Sequence, residues 1–176
     1  MSRILSKSFF ARSALLVSRD LLGCVLARKI GKRTVRLFIT ETEGYEGPHD
    51  LASHASRGKT PRNSVMFGPA GHFYVYFTYG MHWMLNIVTG KNNYPSAVLL
   101  RGAGSYVGPA LLTKALRVKG TFNGKIVSRK SKLWFEKGIR VRPADFLRTP
   151  RIGVPYAGPV WSKKLYRFVL KHTPRT

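Results

Sequence analysis

The sequence predicts one domain of the α+β class, with its strands in hairpins and its sheet therefore mainly antiparallel. Three observations carry this. The 176 residues are 44% apolar and 12% aromatic, enough for a single buried core. Two long β-rich stretches, "CVLARKIGKRTVRLFITETEGY" and "HFYVYFTYGMHWMLNIV", each fold back on a short turn. Apolar residues at helical spacing mark two short segments, "SALLVSRDLLG" and "GPALLTKALRV".

Each element follows in order. Ala14, Leu15, Leu21 and Leu22 define the first helix, and Gly23 ends it as a C-cap. The hairpin after it turns at Gly31-Lys32. Residues 46–72 hold clusters of Pro and Gly with little periodicity, so they form a long loop with one short helix near His49 to His54. Loops of that length in a compact domain tend to be functional. The second hairpin turns at "TYGM", and "SAVLLRG" supplies a third strand. Between 117 and 142 there are nine Lys or Arg and one acid, with thin apolar content, so this basic segment is expected to be poorly structured. "RIGVPYAGPVW" is punctuated by Pro and Gly, and "LYRFVL" reads as the last strand.

A net charge of +24 and a pI near 11.1 point to a polyanionic partner, with nucleic acid the first candidate. Nothing reads as a basic amphipathic membrane helix, as a membrane span or as a secretory signal. The expected location is the cytoplasm or nucleoid of a bacterium, or the nucleus of a eukaryote. The single cysteine, Cys24, excludes an internal disulfide and any all-cysteine metal site. His49 and His54 lack metal-ligand spacing, and no Walker, dinucleotide or nucleophile-elbow pattern is present, so neither metal nor cofactor is expected.

Against this charge, four of the seven acids sit within ten residues, at Glu41, Glu43, Glu46 and Asp50. On a strand, Glu41, Glu43 and Tyr45 share one face. Spacing alone fits a salt-bridged strand end as well as a catalytic carboxylate. Tyr74 and Tyr76 share a face of their strand, which fits core packing or a stacking surface for a base. Tyr79 lies at the expected hairpin tip, where a large aromatic suits insertion between base steps.

In order, "DLLG", "ETEGY", "GPHDLASHASRG", "TPRN", "YVYFTYGM", "LNIV", "AVLLRG", "GPALLTKAL", "RIGV" and "RFV" resemble the alkyladenine (3-methyladenine) DNA glycosylase family over roughly residues 9–115 and 150–170. An ordered set of this kind is far more specific than any one motif. The resemblance implies a curved antiparallel sheet surrounded by short helices. It implies a monofunctional glycosylase that flips alkylated purines out of double-stranded DNA and hydrolyses the N-glycosidic bond. 3-Methyladenine and 7-methylguanine would be substrates, and hypoxanthine and ethenoadenine are further candidates that, as neutral bases, need help to leave.

Residue by residue, Glu43 matches the family's general base, and Arg101 the arginine beside the attacking water. Tyr45 and Tyr76 match the rings that sandwich the base, and His54 the histidine that contacts it. Asn86 matches the asparagine that obstructs the exocyclic amine of guanine, Val154 a pocket-lining position, and Tyr79 the residue that fills the gap left by flipping. Glu41, Glu46 and Asp50 receive no chemistry: Glu41 is expected to pair with a basic neighbour, and Asp50 to cap or tie down the loop. The chain departs from the family after Arg101, where "GAGSYV" replaces a longer acidic stretch. No lysine matches a Schiff-base role, no cofactor is implied, and a monomer is expected. The competing reading is a non-catalytic nucleic-acid-binding protein on the same scaffold, which would need neither Glu43 nor Arg101.

Overall fold

A computed structural model describes residues 3–174. Helix α1 (Lys7–Phe10) leads into α2 (Ala14–Leu21), whose buried Ala14, Val17 and Leu21 recur at helical spacing. Ser13 caps α2 by accepting from the Leu16 N–H at 3.3 Å. The first hairpin follows as β1 (Val25–Ile30) and β2 (Arg33–Glu46). Gly31 takes a φ of 57° in its two-residue turn, a region that glycine enters freely.

The long loop carries two 3-10 turns, His54–Arg57 and Ser64–Phe67, the first beginning where the expected single helix would have ended. Its irregular course leaves only Ser53 as a side-chain cap, accepting from the Ala55 N–H. The second hairpin is β3 (Phe73–Thr78) and β4 (His82–Val88), with Thr78 opposite His82. Then come β5 (Ser96–Ala103), β6 (Tyr106–Val107), α3 (Pro109–Ala115), β7 (Leu133–Glu136), β8 (Phe146–Thr149), α4 (Gly158–Trp161) and β9 (Arg167–Leu170).

The strands run in the order β3-β4-β5-β2-β1-β7, and every pairing is antiparallel. Strand β2 organises this sheet. Its first half pairs with β1; its second half lies between β5 and β9. The change of partner coincides with register shifts between Ile39 and Thr42. Such irregularities bend a strand and re-aim its side chains. Residues 39–44 are all buried, so strict inside–outside alternation is lost at the bend. One cover for this stretch is α2. It comes so close at Gly44 that an added Cβ would stand 2.9 Å from Leu15 and 3.0 Å from the Ser18 hydroxyl. The Thr42 hydroxyl donates to the Ser18 carbonyl at 2.8 Å in the same contact.

The basic segment 117–142, expected to be poorly structured, contains an ordered strand. Leu133, Trp134, Phe135 and Glu136 are buried in β7, which pairs with β1. The Phe135 ring lies 5.4 Å from that of Phe10 and 6.2 Å from that of Phe73, inside the main core. Glu136 accepts from Trp134 Nε1 at 2.8 Å and Arg36 Nε at 3.1 Å. The cations count toward solvent, but the apolar run Leu133, Trp134 and Phe135 suffices to anchor a strand. Fully burying one such side chain contributes about 1.5–3 kcal/mol.

Candidate active site

The second half of β2 carries Glu43 and Tyr45 to the floor of a cleft of about 820 Å³. Strands β3, β4 and β5 bring Tyr76, Asn86 and Arg101; the loop brings His54; the segment before α4 brings Val154; and the β3–β4 tip brings Tyr79. These seven residues line the cleft together with Tyr45 counted among them. Glu43 is fully buried just behind Tyr45, Arg101 and Ile152, each of which both lines the cleft and touches its carboxylate. Thus residues scattered from 43 to 154 converge on one place.

The Glu43 carboxylate accepts from the Tyr45 hydroxyl at 2.9 Å and from the backbone N–H of Ile152 at 2.8 Å. Arg101 Nη1 lies 3.4 Å from Oε2. Burial raises the Glu43 pKa, and Arg101, the Ile152 N–H and the Tyr45 hydroxyl offset that only in part. A carboxylate in this setting is a stronger proton acceptor than an exposed one. Burial works against the charge of Arg101, but Glu43 and Glu41 together raise its pKa. Burial, followed by the Glu43 charge, pushes the Tyr45 hydroxyl well above its ordinary range, so it stays a donor.

The remaining acids of the cluster are structural. Glu41 accepts from Arg101 Nε at 2.7 Å and Arg167 Nε at 2.6 Å, so the one basic neighbour expected for it is in fact two. Asp50 is buried against Arg151, whose Nη2 donates to Oδ1 at 2.8 Å, and it also accepts from the N–H groups of Ala52 and Glu46. That ties the loop down as expected. Glu46 accepts from the Leu15 N–H in the first turn of α2.

The other wall is aromatic. His54 Nδ1 is 2.9 Å from the Tyr74 hydroxyl, and its ring packs edge-on to Tyr76 at 4.6 Å. The His54 ring is open to the cleft, yet Tyr74 and Tyr76 crowd it. Lost hydration, then the charge of Arg62, lowers its pKa. Asn86 is buried and donates from Nδ2 to the Tyr74 carbonyl at 3.1 Å. Val154 packs with Ala52, Ala157 and Tyr45. Tyr79 is 79% exposed with a φ of 53°, a conformation that costs a bulky side chain of order 1–3 kcal/mol. A strained, solvent-facing ring at a hairpin tip has no packing role to justify it.

Sequence reasoning missed several groups. The Ile152 N–H is invisible to any side-chain motif. Arg151, within "RIGV", stacks 4.7 Å from the Tyr45 ring centre and holds Asp50 and the Gly44 carbonyl; only a buried acid elsewhere would have given it away. Arg62, in "TPRN", lines the cleft 5.4 Å from the centre of the Tyr76 ring. Tyr156 lines the mouth and donates to the Ala52 carbonyl at 2.9 Å. Among the described residues, no three His, Cys, Asp or Glu side chains converge as a metal would require, and no helix is long and apolar enough to cross a membrane.

The cleft thus has a buried carboxylate behind its floor, aromatic walls and an exposed tyrosine at its lip, in a chain of net charge +24. Comparison with known proteins specifies the class. The chain matches the family described as methylpurine-DNA glycosylase (MPG) over residues 8–106 and 104–174. It is 40% identical over 192 residues to a provisionally named 3-methyladenine DNA glycosylase of Methanocella arvoryzae, covering 97% of this chain and 94% of that one. It is 42% identical over 189 residues to one of Carboxydothermus hydrogenoformans, covering 96% of each. A third, from Legionella pneumophila strain Corby, is 40% identical over 181 residues, covering 98% and 97%. The chain therefore belongs to the methylpurine-DNA glycosylase family. The two matched stretches meet at residues 104–106, where β5 turns directly into β6 through the "GAGSYV" segment.

Proposed function

We propose that this DNA glycosylase flips alkylated purines out of duplex DNA and hydrolyses their N-glycosidic bond with a water activated by Glu43. The observation that carries the reading is the buried Glu43 carboxylate, held by the Ile152 N–H and Tyr45 and flanked by Arg101. Glycosidic cleavage places positive charge on the sugar; a carboxylate at the cleft floor both takes the water's proton and stabilises that charge. Tyr45 and Tyr76 offer rings to a flipped purine, and a base made cationic by alkylation is attracted to such rings. His54 contacts the base from the aromatic wall, Val154 lines its slot, and the Asn86 amide obstructs the exocyclic amine of guanine. Tyr79 fills the gap left in the duplex, and flipping costs least where damage has weakened pairing.

Among the described residues, the Lys and Arg side chains that line the cleft are Arg57, Arg62 and Arg101, and the reaction proposed is hydrolysis without a Schiff base or strand cleavage. The working form proposed is a monomer. Its basic surface tracks the phosphates. The test is release of free base from duplexes carrying 3-methyladenine or 7-methylguanine, with the product strand intact until treated with alkali. Binding should weaken steeply with salt, by about one counterion for each phosphate contacted. Tight binding without base release on any lesion would make the protein a non-catalytic binder.

A further inference from the structure

Among the described residues, neither His54 nor the tyrosines of the aromatic wall are suited to protonate a departing base. The His54 imidazole is held below its ordinary range by lost hydration and by the neighbouring Arg62, so it is neutral near pH 7. Burial pushes the Tyr74 hydroxyl up to about 12 and the Tyr76 hydroxyl higher still. A base already cationic needs no acid. A neutral base must leave as an anion, or be stabilised as one forms.

Arg62 is placed to do this. Its side chain is exposed, lines the cleft and lies over Tyr76, with the guanidinium carbon 5.4 Å from the ring centre. Its Nη2 donates to the Phe77 carbonyl at 3.0 Å, and among the described residues it forms no ion pair with a carboxylate. Arg101 is engaged differently, with Nε on Glu41 and Nη1 facing Glu43. The charge felt by His54, Tyr74 and Tyr76 alike is that of Arg62.

We infer that Arg62 stabilises the departing purine when that base is neutral, and so extends the enzyme to lesions such as hypoxanthine. This rests on the glycosylase reading above. As the C1′–N9 bond breaks, its electron pair passes to the purine. The water oxygen bonds to C1′ and its proton passes to Glu43. A neutral purine becomes an anion, which the guanidinium charge stabilises, and solvent then protonates it. A cationic purine becomes neutral and gains nothing. Arg62 keeps its protons throughout.

The experiment compares wild type, Arg62→Met and Arg62→Lys in single turnover at saturating enzyme, on matched duplexes carrying hypoxanthine or 7-methylguanine. Arg62→Met should slow hypoxanthine release by about 10- to 100-fold, less than the full loss of an oxyanion-hole donor. 7-Methylguanine release should stay within about 3-fold, and Arg62→Lys should recover much of the hypoxanthine rate, because the effect is one of charge. Equal losses on both lesions would assign Arg62 a DNA-binding or structural role and overturn the inference. So would an unchanged hypoxanthine rate, or a wild type that releases 7-methylguanine but never hypoxanthine. Release of neither base by wild type would instead remove the glycosylase reading itself, and the inference with it.

Discussion

The backbone N–H of Ile152 donates to Oε1 of Glu43 across 2.8 Å, joining segments 109 residues apart. The contact fixes the orientation of a carboxylate that the sheet alone would leave free to rotate. It also explains why "RIGV" belongs to the site although Arg151 itself does not line the cleft. Arg151 locks onto Asp50 and the Gly44 carbonyl, and the residue after it is thereby aimed at Glu43.

The pH dependence follows from that environment. Burial raises the pKa of Glu43 above the ordinary 4.5 despite its donors. A base with a raised pKa is lost to protonation at a higher pH. The acid limb of the single-turnover rate should therefore fall above the ordinary glutamate range, and a limb at or below about 4.5 would contradict the assignment. The same shift costs stability: the penalty is absent below the unfolded-state pKa, and it grows as pH rises to the folded value.

Arg101→Met removes the cation 3.4 Å from Glu43 and one of the two on Glu41. With less to offset burial, Glu43 should titrate higher still, moving the acid limb of the pH–rate profile upward. The plateau rate should drop by about 10- to 100-fold as stabilisation of charge at the cleft floor is lost. A limb that stays in place would mean that Arg101 does not set the ionisation of Glu43.

Tyr79→Ala removes a side chain that is 79% exposed, so the melting temperature should hardly move. Excision from duplex DNA should fall, with a much smaller effect on single-stranded DNA, where no gap needs filling. A wild-type rate on duplex would end the case for insertion.

Asp50→Ala leaves Arg151 buried without its anion, at a cost of about 3–5 kcal/mol. For a domain of this size that lowers the melting temperature by roughly 6–20 °C. Excision should also slow, because the Ile152 N–H loses its support. Thermal unfolding followed by circular dichroism checks the first effect. An unchanged melting temperature would show that the pair does not hold the loop.

How much of this was legible in the sequence depends on the range of each interaction. The two hairpins, α2 and α3 follow from local periodicity and turn chemistry, and they formed where the pattern put them. β7 was hidden because its four residues stand in a stretch dominated by cations, and β8 is a short, largely exposed strand paired only with β9. The candidate site was legible through the ordered motifs, since Tyr45, His54, Tyr76, Asn86, Arg101 and Val154 do meet around one cleft. The Ile152 N–H and the Asp50–Arg151 pair were not, because a backbone donor has no letter and a pair 101 residues apart has no spacing rule.

The most direct measurement is single-turnover release of 7-methylguanine from a duplex by wild type and Glu43→Gln, with lesion binding measured alongside. The account predicts base release by wild type, a rate at least about 10²- to 10⁴-fold lower for Glu43→Gln, and binding unchanged within a few-fold. Equal rates for the two proteins would contradict Glu43 as the base that activates water.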